Sequence, residues 1–218
     1  MTASAASAPS KRPGVGYLAV VAGSVLISLV SYRYLVPGAP GAAPPILANH
    51  FTRLGVLTIH VGFAATALLL GPFQFLAGLR RRRPALHRLM GTIYVICCLG
   101  GGAAGLVLAF GALTGPISTG GFGLLALLWM FTTARAFLAA KARRFNVHER
   151  WMIRSFALTF AAVTLRLYLP FAFFSPWGYD ATYRAISWLC WVPNLLVAEA
   201  IVSGLRRRQS GRPPLAHP

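Results

Sequence analysis

The sequence predicts an all-α fold, a six-helix transmembrane bundle with both termini cytoplasmic. Three observations predict it. First, the 218 residues are 56% hydrophobic and only 11% charged, where a soluble domain is about a quarter charged. Second, six apolar stretches reach the roughly 20 residues that a bilayer crossing requires. Third, the charge is one-sided, 21 Lys+Arg against 3 Asp+Glu for a net +18, and it gathers in alternate loops. Disorder is excluded, because disordered chains combine high charge with low hydrophobicity. Three cysteines are too few for a disulfide scaffold. A soluble nucleic-acid binder would interleave its basic surface with acids and polar residues, so no nucleic-acid partner is expected.

The elements follow in order. Residues 1–13 are small and polar and read as a disordered segment, with Lys11 and Arg12 ahead of the first span. That span, 14–36, ends on Tyr32, Arg33 and Tyr34, which suit a membrane interface. A cleaved signal peptide shares the basic start and apolar run, but this run is long for one. The Pro/Gly/Ala-rich stretch 37–45 reads as an external linker. The remaining spans are 54–79, 86–113, 119–140, 147–174 and 182–205. The second, third and fifth are long enough to tilt. Together 14–205 form one membrane domain, and 206–218 are a basic tail. Arg80–Arg83 join spans two and three, Lys141, Arg143, Arg144 and Arg150 surround the four–five junction, and Arg206, Arg207, Arg208 and Arg212 follow span six. The alternate loops 37–49, 114–118 and 175–181 contain no Lys or Arg. The positive-inside rule then places the basic loops in the cytoplasm.

Ionisable residues within spans are costly, which makes each a functional candidate. Arg135 and Arg154 lie close enough to the basic ends of spans four and five to snorkel to the headgroups. Glu199 lies about 9 Å from the end of span six at 1.5 Å per residue. Arg135 or Arg154 is its natural partner, and Gln74 and Asn194 could extend the hydrogen bonding. Arg166 is harder to place. It sits in the outer half of span five, where no span carries an acid. It either reaches Asp180, tyrosines or backbone, or faces a cavity and binds an anion. Steps of three and four keep residues on one helix face. His148, Met152, Ser155, Thr159, Ala162 and Arg166 therefore share a stripe. So do His60, Ala64, Ala67, Gly71, Gln74 and Gly78 in span two, and His87, Gly91, Tyr94, Cys98, Gly101 and Gly105 in span three. Small residues suit close helix packing, which leaves the polar ones unexplained.

Two basic loops resemble each other. Arg82-Arg83-Pro84-Ala85-Leu86-His87 and Arg143-Arg144-Phe145-Asn146-Val147-His148 are both Arg-Arg, three residues, then His. Spans two–three and four–five thus read as duplicated hairpins, unless chance or convergent anchoring made the match. Duplication would put His87 and His148 at one depth, where two imidazoles can hold a b-type haem iron axially. The arrangement is similar to the cytochrome b561 class. Only one of that class's two histidine pairings is matched, since span four has no His. His60 stands roughly 25 Å or more from His87 and cannot share a metal with it. The plain alternative is that His87 and His148 are interfacial polar residues. His50 and His217 fall in loops and receive no role. Cys97, Cys98 and Cys190 read as packing residues. No phosphate-binding Gly loop, nucleophile elbow or carboxylate pair is present.

The chain resembles a bacterial multi-pass membrane family, domain of unknown function 2306. The residues that carry the likeness are His60 with Gly62, Gly71-Pro72-Phe73-Gln74-Phe75, His87-Arg88 with Gly91 and Tyr94, His148 through Ser155, Thr164-Leu165-Arg166, Asn194 and Glu199. The likeness covers about residues 50 to 205. It implies a helical bundle in the bacterial inner membrane and supplies no reaction.

Three functions compete. A redox protein would bind a b-type haem or quinone at His87 and His148, with Arg88 or Arg154 on propionates or a quinone oxygen. An anion-binding or transport bundle would centre on His60 and Arg166, with Gln74, Glu199 and Arg135 as further polar candidates. A non-catalytic assembly protein would need only a basic face for anionic headgroups.

Overall fold

The computed structural model describes residues 14–36, 51–112 and 114–210, with side chains from 54 and up to 207 in the last two stretches. Residues 1–13, the 37–45 linker, His50 and His217 lie outside the described residues. The first span is α1 (Val15–Ser31) continued by a 3-10 turn, Tyr32–Leu35. The second is α2 (Phe51–Leu70), followed by a 3-10 turn Pro72–Phe75 and a short helix α3 (Ala77–Arg82). The third and fourth are α4 (Pro84–Phe110) and α5 (Pro116–Lys141). The fifth is α6 (Phe145–Thr159) plus α7 (Ala161–Phe174), and the sixth α8 (Tyr179–Leu189) plus α9 (Val192–Ser210). Six of these units are long and apolar enough to cross a membrane. The last helix runs on to Ser210, so the expected tail begins as helix.

Local chemistry sets the ends. Pro84 and Pro116 open α4 and α5, where a missing N–H costs nothing. Gly115, ahead of Pro116, has φ +89, a conformation that side chains disfavour. Around the shared ring of spans two to five, α2 packs on α4, α4 on α5, α5 on α6, and α6 touches α2. The first span lies against α2 and α7, and α9 against α6. The interior is small and polar. Ser24, Ser28, Ala67, Cys98 and Thr133 are fully buried, whereas Leu29, Ile96, Phe131, Phe171 and Leu196 face outward. That inversion suits lipid, which solvates leucine as well as another leucine does.

The two hairpins start alike. Arg83 and Arg144 cap α4 and α6 with ψ 66 and 68. His87 and His148 are each the fourth helical residue, and their amides donate to Arg83 O and Arg144 O at 3.1 and 2.9 Å. Seven residues on, the equivalent Tyr94 and Ser155 touch, Oη to Oγ 2.9 Å. Upstream the likeness stops, because α2 breaks before its basic loop and α5 does not.

Two features concern helix breaks. A proline can break or kink a helix, yet Pro170 lies inside α7. It removes a single bond close to the helix end, and neighbouring helices tolerate that in a membrane. The interruption falls instead at Phe160, and span six is interrupted at Cys190 and Trp191. Asn194 also does not extend the Glu199 hydrogen bonds. Its Nδ2 serves the two breaks, donating to Ala157 O at 3.3 Å, Cys190 O at 3.1 Å and Thr164 Oγ1 at 3.1 Å. The Thr164 hydroxyl donates in turn to Cys190 O. Asn194→Leu should therefore destabilise the fold by about 1–3 kcal/mol, the cost of stranding buried acceptors. Thermal unfolding in detergent measures it.

Candidate functional site

A cavity of about 730 Å³ opens in the arginine-poor half of the bundle. Its rim includes Arg33, Tyr34, Leu57, Ala112, Thr114 and Tyr179, the span ends remote from the arginine-rich loops. Its floor includes Trp129, Leu158, Thr159 and Cys190, beside both helix breaks. Most of the wall is Ala, Gly, Val, Ile and Leu. Within this apolar space stand His60 and Arg166.

Arg166 reaches from α7 towards α1. One terminal nitrogen donates to Ala162 O and the other to Ser31 Oγ, both at 2.9 Å. Ser31 can accept because its own hydrogen goes to Ile27 O at 2.6 Å. A guanidinium has five N–H donors, and among the described residues no carboxylate meets this one. Among the described residues the ion pair is Arg154 with Glu199. Of the partners weighed for Arg166, a backbone carbonyl is met at Ala162 O, whereas Asp180 sits in the first turn of α8 and the guanidinium turns the other way, to α1.

His60 is fixed by a carbonyl. Its Nδ1 lies 2.8 Å from Gly101 O. A carbonyl only accepts, so Nδ1 carries the hydrogen and Nε2 is left for a ligand. Close approach needs a glycine: a Cβ on Gly105 would stand 3.0 Å from Cε1 and Nδ1 of His60. Gly105→Ala should displace the ring by a few tenths of an ångström and cost about 1–3 kcal/mol of stability, read from the unfolding temperature.

Below the floor lies a buried polar network. Trp129 Nε1 donates to Thr159 Oγ1 at 2.8 Å. Tyr94 Oη is 2.8 Å from Thr159 Oγ1 and 2.9 Å from Ser155 Oγ, and Ser155 Oγ is 2.6 Å from Thr133 Oγ1. It joins spans three, four and five.

The other candidates do not enter the cavity. Arg154 grips Glu199 with two bonds, Nε–Oε1 2.5 Å and Nη2–Oε2 2.8 Å. The guanidinium groups of Arg154 and Arg135 lie over the Trp151 ring at 4.8 and 5.6 Å. Glu199 and Arg135 thus belong to a clasp between spans four, five and six rather than to an anion site. Gln74 is buried against Gly91, with its Nε2 unpartnered, and does not join that clasp. Gly78 falls off the span-two stripe onto an exposed face, because α2 ends at Leu70 and the chain turns at Pro72. The stripes on spans three and five face inward along their length. Arg88 is exposed.

His87 and His148 each stand in the first turn of a spanning helix, α4 and α6. A histidine on haem iron ordinarily donates its other ring N–H to an acceptor. His148 does so, Nδ1 to Ala136 O at 2.9 Å. His87 does not, since its Nδ1 is buried without a partner. The pair therefore fits an axial haem at one ligand only. Among the described residues no group of three or more His, Cys, Asp or Glu could hold a metal ion.

Sequence reasoning passes over Ser31, Trp129, Thr133 and Arg184. A serine or threonine within a span is a weak signal, since most bond their own helix, as Ser28 does to Ser24 O. Arg184 carried a stronger signal as a cation inside span six. Its Nε donates to Thr114 O at 2.7 Å and ties the two ends of the rim.

No curated protein and no solved structure matches the chain. The family described as "Predicted membrane protein (DUF2306)" matches residues 57–202, and with six membrane-length helices and the expected motifs inside that range, the chain belongs to this family.

Proposed function

We propose that this multi-pass membrane protein binds a single-chain anionic amphiphile in the cavity around His60 and Arg166. One observation carries the reading: a guanidinium with no carboxylate partner among the described residues stands in a mostly apolar cavity within the membrane. The volume falls within the range of small-molecule sites, about 300–1,000 Å³. The headgroup would take the remaining Arg166 donors and His60 Nε2, and the chain would lie along the Ala, Gly and Leu wall. By the positive-inside rule the arginine-rich loops favour a cytoplasmic position for the other end of the bundle. We therefore assign the protein to the bacterial inner membrane, with the cavity towards the outer leaflet and the basic face on anionic headgroups. A purely assembling role would need no such cavity.

Radiolabelled oleate titrated into detergent-solubilised protein tests the reading. Saturable binding near one per chain, above protein-free micelles, is expected. Binding that only follows micelle concentration would overturn it.

The redox reading, a b-type haem or quinone contacted by His87 and His148, is supported by the fixed ring of His148. It predicts a Soret band in protein expressed with ample haem, lost in His148→Ala. A colourless protein removes the haem version.

A further inference from the structure

We propose that the amphiphile held at His60 and Arg166 is a lipid phosphate monoester, a single chain ending in a phosphate that retains one hydrogen. The inference rests on the amphiphile reading and names the class of headgroup.

The two polar side chains of the cavity make opposite demands. Among the described residues two of the five Arg166 N–H groups are engaged, with Ala162 O and Ser31 Oγ, which leaves three for a ligand. Those three need acceptor oxygens and a negative charge. His60 needs a donor. Its Nδ1 hydrogen is committed to Gly101 O at 2.8 Å. No Asp or Glu is among the described residues that line the cavity, so a second cation beside Arg166 would lack a counter-charge. The ring is therefore neutral, and its Nε2 is a lone pair that accepts. The Gly101 bond and the close approach of Gly105 hold the ring in this sense. A ligand that satisfies both must give charge and acceptors to Arg166 and a hydrogen to His60.

Few anionic headgroups do both. A carboxylate has charge but no hydrogen, and the proton that supplies the hydrogen removes the charge. A sulfate ester or a phosphodiester keeps its charge near neutral pH but has no hydrogen. A phosphate monoester loses its second proton only at about pH 6. Its singly charged form therefore has a P–OH beside two oxygens that share the charge. The two oxygens match the planar fork of a guanidinium, and the P–OH donates to His60 Nε2. The Ala, Gly and Leu wall takes the chain, which free phosphate lacks.

The test titrates oleyl phosphate, methyl oleyl phosphate and oleate into the full chain in detergent. The three share a hydrocarbon chain, and the methyl ester keeps a charged phosphate without its P–OH. Oleyl phosphate should bind at least about 10-fold more tightly than either, the worth of one charge-assisted hydrogen bond. In His60→Leu its preference over the methyl ester should fall below about 3-fold. Should His60→Leu fail to fold, His60→Met must show the same fall. Equal affinity for oleyl phosphate and its methyl ester, or a preference that survives loss of the imidazole, overturns the inference and leaves the amphiphile reading in place. Inorganic phosphate should displace oleyl phosphate only at about 100-fold higher concentration or more. Displacement at equal concentration would make this a free-phosphate site and overturn the lipid assignment. Absence of saturable binding by all three lipids overturns the amphiphile reading itself.

Discussion

Arg166→Gln should weaken binding of an anionic amphiphile by about 10- to 100-fold, since a hydrogen bond to a charged group is worth roughly 1.5–3 kcal/mol. The loss is argued from geometry. The side chain is held at two points, Ala162 O and Ser31 Oγ, and keeps donors in reserve for a headgroup. Glutamine retains a polar end but loses the charge and the fork that matches a carboxylate or phosphate. Arg166→Lys should recover part of the affinity, because charge returns without the fork. Ser31→Ala should weaken binding less, since it only loosens the side chain's aim. The same titration reads all three variants. Equal affinity in Arg166→Gln and wild type would mean that the guanidinium has only a structural role.

The second large effect concerns stability. Glu199→Gln should cost about 1–2 kcal/mol, less than the 3–5 kcal/mol of a fully buried pair, because the Glu199 side chain is 46% exposed while Arg154 is 11% exposed. The reason lies in what remains. Arg154 would keep its place over Trp151 without a counter-charge. Exchange of the charges, Arg154→Glu with Glu199→Arg, should recover much of the loss, which neither single change would do. Recovery measured in a double-mutant cycle of unfolding midpoints separates pairing from packing.

The fold was largely legible because the bilayer imposes a length and an apolar composition on each span. Bounds such as 86–113 against Pro84–Phe110 differ by a few residues, which caps decide. The Arg-Arg-x-x-x-His repeat also predicted that His87 and His148 share a helical position. The helix break at Phe160 was not legible, because no proline or glycine marks it. The break at Cys190 and Trp191 carried a signal in Pro193, which opens the next helix and cannot donate to the preceding turn, but the bonds of Asn194 and Thr164 that join the two breaks depend on how spans five and six pack. The site was legible in part. Arg166 and His60 stood out because a charge and an imidazole are rare in an apolar span. Their meeting in one cavity depends on how spans one, two, three and five pack, which spacing does not encode. Three of the four hydroxyls in the buried network were visible, with Tyr94, Ser155 and Thr159 on inward stripes. Its fourth member, Thr133, looks in the sequence like any other helical threonine.

Discrimination between an acid and its ester tests the central claim most directly. Wild-type protein is titrated with oleate and with methyl oleate, which share the chain and differ in headgroup charge. If Arg166 and His60 form the headgroup site, oleate binds at least about 10-fold more tightly, in line with a charge-assisted hydrogen bond. Equal affinity for acid and ester would contradict the account, because the cavity would then be selecting the chain alone.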